Sequence, residues 1–152
     1  MFAQLNEREK NEMFDRDGGS FTIKPWIKEG IIWHCGDAGD PGLVSLLGQQ
    51  NIVVANRFLC HMQPDAASAI LRNLGGLLKS GGYLFVSGVD LDVKMNVALE
   101  QNWRPIRELI DEIYDGDPTL TSGWPFEYWS KEPLQRRHPN AMVRYASAFQ
   151  VT

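Results

Sequence analysis

Residues 51–62 read Asn51-Ile-Val-Val-Ala-Asn-Arg-Phe-Leu-Cys-His-Met62, and residues 79–90 read Lys79-Ser-Gly-Gly-Tyr-Leu-Phe-Val-Ser-Gly-Val-Asp90. The first stretch begins with a continuous apolar run that contains β-branched residues and no breaker. Such a run is typical of a parallel strand covered on both faces, so we expect a buried strand over Asn51–Cys60. The second stretch contains Tyr83–Ser87, which predicts the next buried strand.

An amphipathic helix is predicted between these two strands. Pro64 suits the first turn of a helix, and apolar residues recur at helical spacing from there to about Lys79. Gly81-Gly82 is expected to stop this helix. Six further elements are predicted, namely a helix over residues 3–15, strands at Phe21–Lys24 and Gly30–Cys35, a short helix at Leu43–Leu47, a helix over Val93–Tyr114 divided at Pro105, and a strand at Met142–Phe149.

The alternation of strands and helices predicts an α/β fold. Right-handed crossovers join such strands into a mostly parallel sheet with flanking helices, and the tail is expected to add an antiparallel edge. A chain of 152 residues can bury a substantial core, and no change of composition marks a boundary. We therefore expect a single domain over residues 1–152.

Composition excludes several classes of function. A net charge of −4 gives no basic face for a nucleic-acid partner. No apolar run is long enough to span a membrane, and the N-terminus lacks the apolar region of a signal peptide. The two cysteines are too few for a disulfide framework. Together these observations predict a cytoplasmic protein with no membrane partner.

Polar residues follow two of the predicted strands, where α/β proteins bind ligands. Gly36-Asp37-Ala38 comes after the strand that ends at Cys35, and Asn56-Arg57 lies at the exit of the strand that begins at Asn51. An Asp or Asn there can hydrogen-bond an adenine or a ribose, and a glycine lets the backbone approach a ligand. The alternative is that Gly36-Asp37-Ala38 forms a plain turn and Asn56-Arg57 an internal polar bridge.

The sequence resembles the chemotaxis-receptor (CheR-like) branch of the class I S-adenosylmethionine (SAM) methyltransferases over about residues 1–92. The resemblance rests on Phe21-Thr-Ile-Lys24 followed by Gly30-Ile-Ile-Trp-His-Cys-Gly-Asp37. It also rests on Asn56-Arg57, where the family has Arg-Asn, and on Ser80-Gly81-Gly82-Tyr83-Leu84, where the family has Pro-Gly-Gly. The resemblance implies a Rossmann-like fold and SAM as cofactor, contacted by Gly36, Asp37, Ala38, Asn56 and Arg57.

The glycine-rich first half of such an enzyme is missing from the sequence. Asp17-Gly18-Gly19-Ser20 is predicted to form a turn before a strand, whereas the family's glycine-rich turn lies between a strand and a helix. We therefore expect a truncated methyltransferase-like protein that binds SAM weakly or not at all and is inactive as an isolated monomer. The alternative is a non-catalytic dimerisation or partner-binding module derived from a methyltransferase.

Two kinds of partner follow from the missing half. A second polypeptide could supply it, or two copies could cover each other's bare surface in a homodimer. The expected dimer interface consists of the apolar residues with the fewest apolar neighbours in the predicted fold. They are Phe2, Leu5, Met13, Phe14 and the strand at Phe21–Lys24.

The aromatic tail offers a candidate acceptor-substrate pocket, lined by Trp124, Tyr128, Trp129 and Arg144. The alternative is that these residues pack over the edge of the sheet. His34-Cys35 and Cys60-His61 suggest a metal site by composition alone. Adjacent residues on a strand point to opposite faces, so we expect no metal site and two buried cysteines.

Overall fold

The computed structural model describes residues 5–108, 110–114, 132 and 134–152. The chain divides into two compact units, Met1–Cys35 and Gly36–Thr152. No described helix is both long enough and apolar enough to cross a membrane.

The N-terminal unit begins with helix α1, Glu7–Met13, which carries a capping box. The helix ends earlier than predicted because Phe14 already pairs with Ile23 in a hairpin of β1, Phe14–Asp17, and β2, Ser20–Ile23. Gly18 and Gly19 turn the hairpin with φ of +55° and +103°, which glycine adopts at little cost. The predicted turn at this position is confirmed.

The predicted strand at Gly30–Cys35 is wrong. After the short helix α2, Pro25–Lys28, these residues form no helix or strand. Ile31, Ile32 and Trp33 are 50%, 76% and 88% exposed. Strand propensity reflects packing against neighbouring strands, and none of the described strands pairs with this segment.

The C-terminal unit holds a mixed four-stranded sheet. Its elements are α3 Leu43–Leu47, β3 Gln50–Asn56, α4 Pro64–Gly76, β4 Leu78–Ser87, α5 Leu91–Glu100, β5 Arg104–Pro105, α6 Ile110–Tyr114, α7 Ala141–Tyr145 and β6 Ala148–Gln150. The strand order is β3-β4-β6-β5, with β3 parallel to β4 and β6 antiparallel to both of its neighbours. Three strands therefore run in one direction and β6 runs in the other. The α/β class and the antiparallel strand are confirmed, but β6 lies inside the sheet.

The predicted role of Gly81-Gly82 as a helix stop is wrong. Helix α4 ends at Gly76, and both glycines lie inside β4. The register between β3 and β4 shifts at this point. A Cβ on Gly82 would stand 2.9 Å from the carbonyl oxygen of Lys79 and 3.0 Å from that of Asn51. The glycine therefore permits a close backbone approach at an irregular strand.

The tail and the helix before it also differ from prediction. The expected strand at Met142–Phe149 is wrong over its first residues, which form α7. Tyr145 lies almost fully buried on this helix. The expected division of Val93–Tyr114 at Pro105 is confirmed, because Pro105 lies in β5 between α5 and α6.

Side chains alternate between two faces of the sheet. Leu84 and Val86 of β4 point into the core, where α4 packs on β4. Trp103 belongs to this core. The opposite face, which we call the open face, carries Ile52, Val54, Tyr83 and Phe85 at 58%, 67%, 39% and 43% exposure. The prediction that both faces of β3 are covered is therefore wrong.

Candidate site at the carboxyl ends of the parallel strands

The two parallel strands are joined where they end. Asn56 Oδ1 accepts a hydrogen bond from Ser87 Oγ at 2.6 Å, and the backbone nitrogen of Arg57 donates to the carbonyl oxygen of Ser87 at 2.9 Å. Asn56 and Arg57 are both exposed. Asn56 and Arg57 were predicted from the sequence, whereas Ser87, which ends the second apolar run, was not.

The backbones after these strands approach each other closely. Arg57 has φ of +57° and Gly88 has φ of +61°. A Cβ on Gly88 would stand 2.8 Å from the Cα of Arg57. Residue 88 must therefore be glycine, both for its backbone conformation and for the space it leaves. The signal in the sequence is the Ser87-Gly88 step after an apolar strand.

The loop that holds Gly36, Asp37 and Ala38 is pinned to helix α4. Asn73 Nδ2 donates to the carbonyl oxygens of Ala38 at 2.7 Å and Asp40 at 2.9 Å. Inside the loop, Asp37 Oδ1 accepts from the backbone nitrogen of Gly39 at 2.8 Å. One carboxylate oxygen of Asp37 is therefore already occupied by a hydrogen bond that stabilises the turn.

This anchor places the loop away from Asn56 and Arg57. Helix α4 leaves the carboxyl end of β3 and returns to the amino end of β4, so it runs against the strands. Asn73 is nine residues into the helix, or about 13 Å along its axis. The loop thus lies toward the amino ends of the strands, and Asn56-Arg57 lies at the carboxyl ends.

The described residues do not form a cradle for SAM. A doubly wound sheet binds its ligand in a crevice where connections leave neighbouring strands in opposite directions. Strand β3 is the last strand of its sheet, so no such crevice borders it among the described residues. The described chain also lacks a glycine-rich turn between a strand and a helix.

Arg144, a predicted substrate residue, is engaged in an ion-pair network. Its Nε donates to Glu132 Oε1 at 2.8 Å, and its Nη1 donates to Asp92 Oδ1. Tyr145 donates its hydroxyl hydrogen to Glu132 Oε1 at 2.6 Å. The hydrogen bonds from Arg144 and then Tyr145 lower the pKa of Glu132, while burial and the bond to Glu132 raise the pKa of Tyr145. These contacts tie α7 to α5 and to Glu132.

Lys94 lies beside this network and was not singled out in the sequence. It is 5% exposed on α5. Burial, and next the positive charge of Arg144, lower the pKa of Lys94 to about 8. The other buried residues of α5 are apolar, so a lysine among them is the signal that the sequence offers.

The remaining predicted residues divide into two groups. Trp124, Tyr128 and Trp129 lie outside the described residues. The prediction that both cysteines are buried is wrong, because Cys35 is exposed and Cys60 is half-buried. In the described part of the chain, no three His, Cys, Asp or Glu side chains come together as metal ligands.

Comparison with known proteins adds one relative. No known family model matches the sequence. The "Uncharacterized 104.1 kDa protein in hypE 3'region" of Rhodobacter capsulatus is 26% identical over 137 residues. The alignment covers 86% of this chain but 13% of that protein, so the chain spans a small part of its relative's length.

Proposed function

We propose that this chain is a SAM methyltransferase-like unit of Rossmann-like type that does not transfer methyl groups as an isolated monomer. Three strands running one way with an antiparallel strand among them support this proposal, because class I methyltransferase sheets end in a similar arrangement. The parallel crossover from β3 through α4 to β4 supports it too. Cytoplasmic localisation remains part of the proposal.

One observation carries the proposal, namely that β3 is an edge strand. In a doubly wound sheet the ligand crevice needs a further parallel strand on the outer side of β3. Among the described residues that position is empty. A second polypeptide that supplies a parallel strand and a glycine-rich turn would create the crevice beside Asn56. Without it, SAM binds weakly or not at all.

The polar groups of the site support the same proposal. Asn56 Oδ1 already accepts from Ser87, and Asp37 Oδ1 already accepts from Gly39. A ligand would have to replace these bonds, which lowers its net gain in free energy.

Isothermal titration of the purified chain with SAM tests this proposal. We expect no binding tighter than the low millimolar range. Micromolar affinity for the isolated chain would contradict the proposal. It would favour instead a methyltransferase that is active without a partner.

A second candidate function is a non-catalytic association module. The open face favours it, because four large apolar side chains on two adjacent strands form a continuous exposed patch. Patches of this kind mark interaction surfaces more often than isolated apolar residues do. The two candidates are distinct, because the outer edge of β3 can pair with only one partner strand at a time.

A further inference from the structure

Strand β3 lacks the features that protect an edge strand from pairing. Its seven residues, Gln50–Asn56, include no charged residue and no proline. The register shift against β4 places the extra residues in β4, so β3 itself stays regular. Natural proteins usually protect edges with charges, prolines or bulges. The edge of β3 is therefore suited to accept another strand.

The exposure of the open face falls from the edge inward. Ile52 and Val54 on β3 are 58% and 67% exposed, whereas Tyr83 and Phe85 on β4 are 39% and 43% exposed. The difference follows from neighbours, because among the described strands β4 has a strand on each side and β3 has one on a single side. The second side of β3 has no strand beside it in the described part of the chain.

We propose that β3 pairs with β3 of a second copy of this chain, antiparallel about a two-fold axis that is perpendicular to the sheet and passes between the two Val53 residues. This inference rests on the association module proposed above. A two-fold axis of this kind keeps each open face on the same side of the joined sheet. Residues that face each other across it therefore share a face.

In the register centred on Val53, apolar side chains of the open face lie opposite apolar ones, and amide side chains lie opposite amides. Ile52 then lies opposite Val54 of the second copy, and the reverse pair repeats across the axis. At the strand ends, Gln50 lies opposite Asn56. β-branched side chains such as these pack well against each other on a pleated surface.

The neighbouring registers match less well. Centring the axis on Val54 places Ile52 opposite Asn56, and centring it on Ile52 places Gln50 opposite Val54. Both put a polar amide against an apolar side chain on the open face. Because β3 carries no charge, no register brings like charges together. The chemistry of the strand therefore favours a second copy in one register.

Two charge variants test this interface by sedimentation velocity at micromolar concentration. The wild-type chain should sediment as a dimer, twice its mass of 17.2 kDa. The double variant Ile52→Lys, Val54→Lys should be monomeric, because the register opposes lysine to lysine. The variant Ile52→Glu, Val54→Glu should also be monomeric, because the register opposes glutamate to glutamate. An equimolar mixture of the two should form a heterodimer, in which each lysine faces a glutamate.

A matched control is Leu46→Lys, since Leu46 is 58% exposed on α3 and lies outside the proposed interface. It should remain dimeric. Circular dichroism should show that all variants keep the fold, because both substituted side chains face solvent. A monomeric wild type, a dimeric double-lysine variant or a mixture that stays monomeric would overturn the proposal. The SAM titration is read separately, so a failed dimer is distinguishable from a failed methyltransferase-like assignment.

Discussion

Trp103 packs so closely on Gly75 that a methyl group at residue 75 would overlap the indole ring, with Cε2 only 3.1 Å away. Gly75 lies in the last turn of α4, and the indole ring is 6.0 Å from the ring of Phe149 on β6. This contact therefore joins the crossover helix to the antiparallel strand. A glycine inside a helix normally costs stability, and here it leaves room for the largest core side chain.

We expect Gly75→Ala to destabilise the protein by about 1–3 kcal/mol through overpacking. Gly76→Ala is the matched control, because a Cβ on Gly76 meets no atom within 4 Å. The control should be neutral or more stable by about 0.5–1 kcal/mol. Urea unfolding at one protein concentration measures both variants. Equal effects at the two positions would argue against the packing of Trp103 described above.

The amine of Lys94 should make stability rise with pH. The pKa of a lysine in an unfolded chain is about 10.4, and burial lowers the pKa of Lys94 to about 8 in the folded protein. Between these values the unfolded state binds the extra proton, so the free energy of unfolding increases as pH rises. At about 1.4 kcal/mol per pKa unit, the change approaches 3 kcal/mol.

The variant Lys94→Met should lose this pH dependence and be more stable than the wild type at neutral pH. Lys79→Met is the control, because Lys79 is exposed on β4. Guanidinium unfolding from neutral pH to about pH 10 gives the comparison. Parallel wild-type and Lys94→Met curves would mean that the amine is not buried as described.

Glu132 should contribute to stability against acid. Hydrogen bonds from Arg144 and Tyr145 lower the pKa of Glu132 in the folded state. The stabilisation is fully present above the unfolded value of about 4.3 and is lost as pH falls through the lower folded value. The free energy of unfolding of Glu132→Gln should therefore be lower than that of the wild type at neutral pH. The difference between the two should shrink as the solution becomes acidic. Acid unfolding followed by fluorescence tests this, with the exposed Glu108→Gln as control.

At the carboxyl ends of the strands, Asn56→Ala should reduce stability less than Gly88→Ala does. Asn56→Ala removes one exposed hydrogen bond, worth about 0.5–1.5 kcal/mol. Gly88→Ala adds a Cβ 2.8 Å from Arg57 Cα at a positive φ, which should cost more. Thermal unfolding of the two variants ranks them. The opposite ranking would mean that the Asn56–Ser87 hydrogen bond contributes more to stability than the close packing of Gly88 on Arg57.

Local patterns in the sequence predicted local structure well. The hairpin turn at Gly18-Gly19, the helix at Leu43–Leu47 and the start of α4 at Pro64 all follow from residue chemistry. Each depends on contacts within a few residues along the chain. The same holds for the interruption of the helix at Pro105.

Features that depend on distant neighbours were not predictable from pattern alone. The run Ile31–Trp33 has the composition of a strand but pairs with no described strand. The apolar run in β3 indicated burial on both faces, yet Ile52 and Val54 on its open face are exposed. Ser87 and Gly88 entered the site only because the register of β3 and β4 brings them beside Asn56 and Arg57.

We propose above all that the carboxyl ends of β3 and β4 do not bind SAM in the isolated chain. Titration of ¹⁵N-labelled protein with SAM, followed at the backbone amides of Asn56, Ser87 and Gly88, tests it most directly. We expect no saturable shift of these amides below the low millimolar range, with the amide of Leu46 as an internal control. Saturable shifts confined to Asn56, Ser87 and Gly88 at micromolar SAM would contradict the claim.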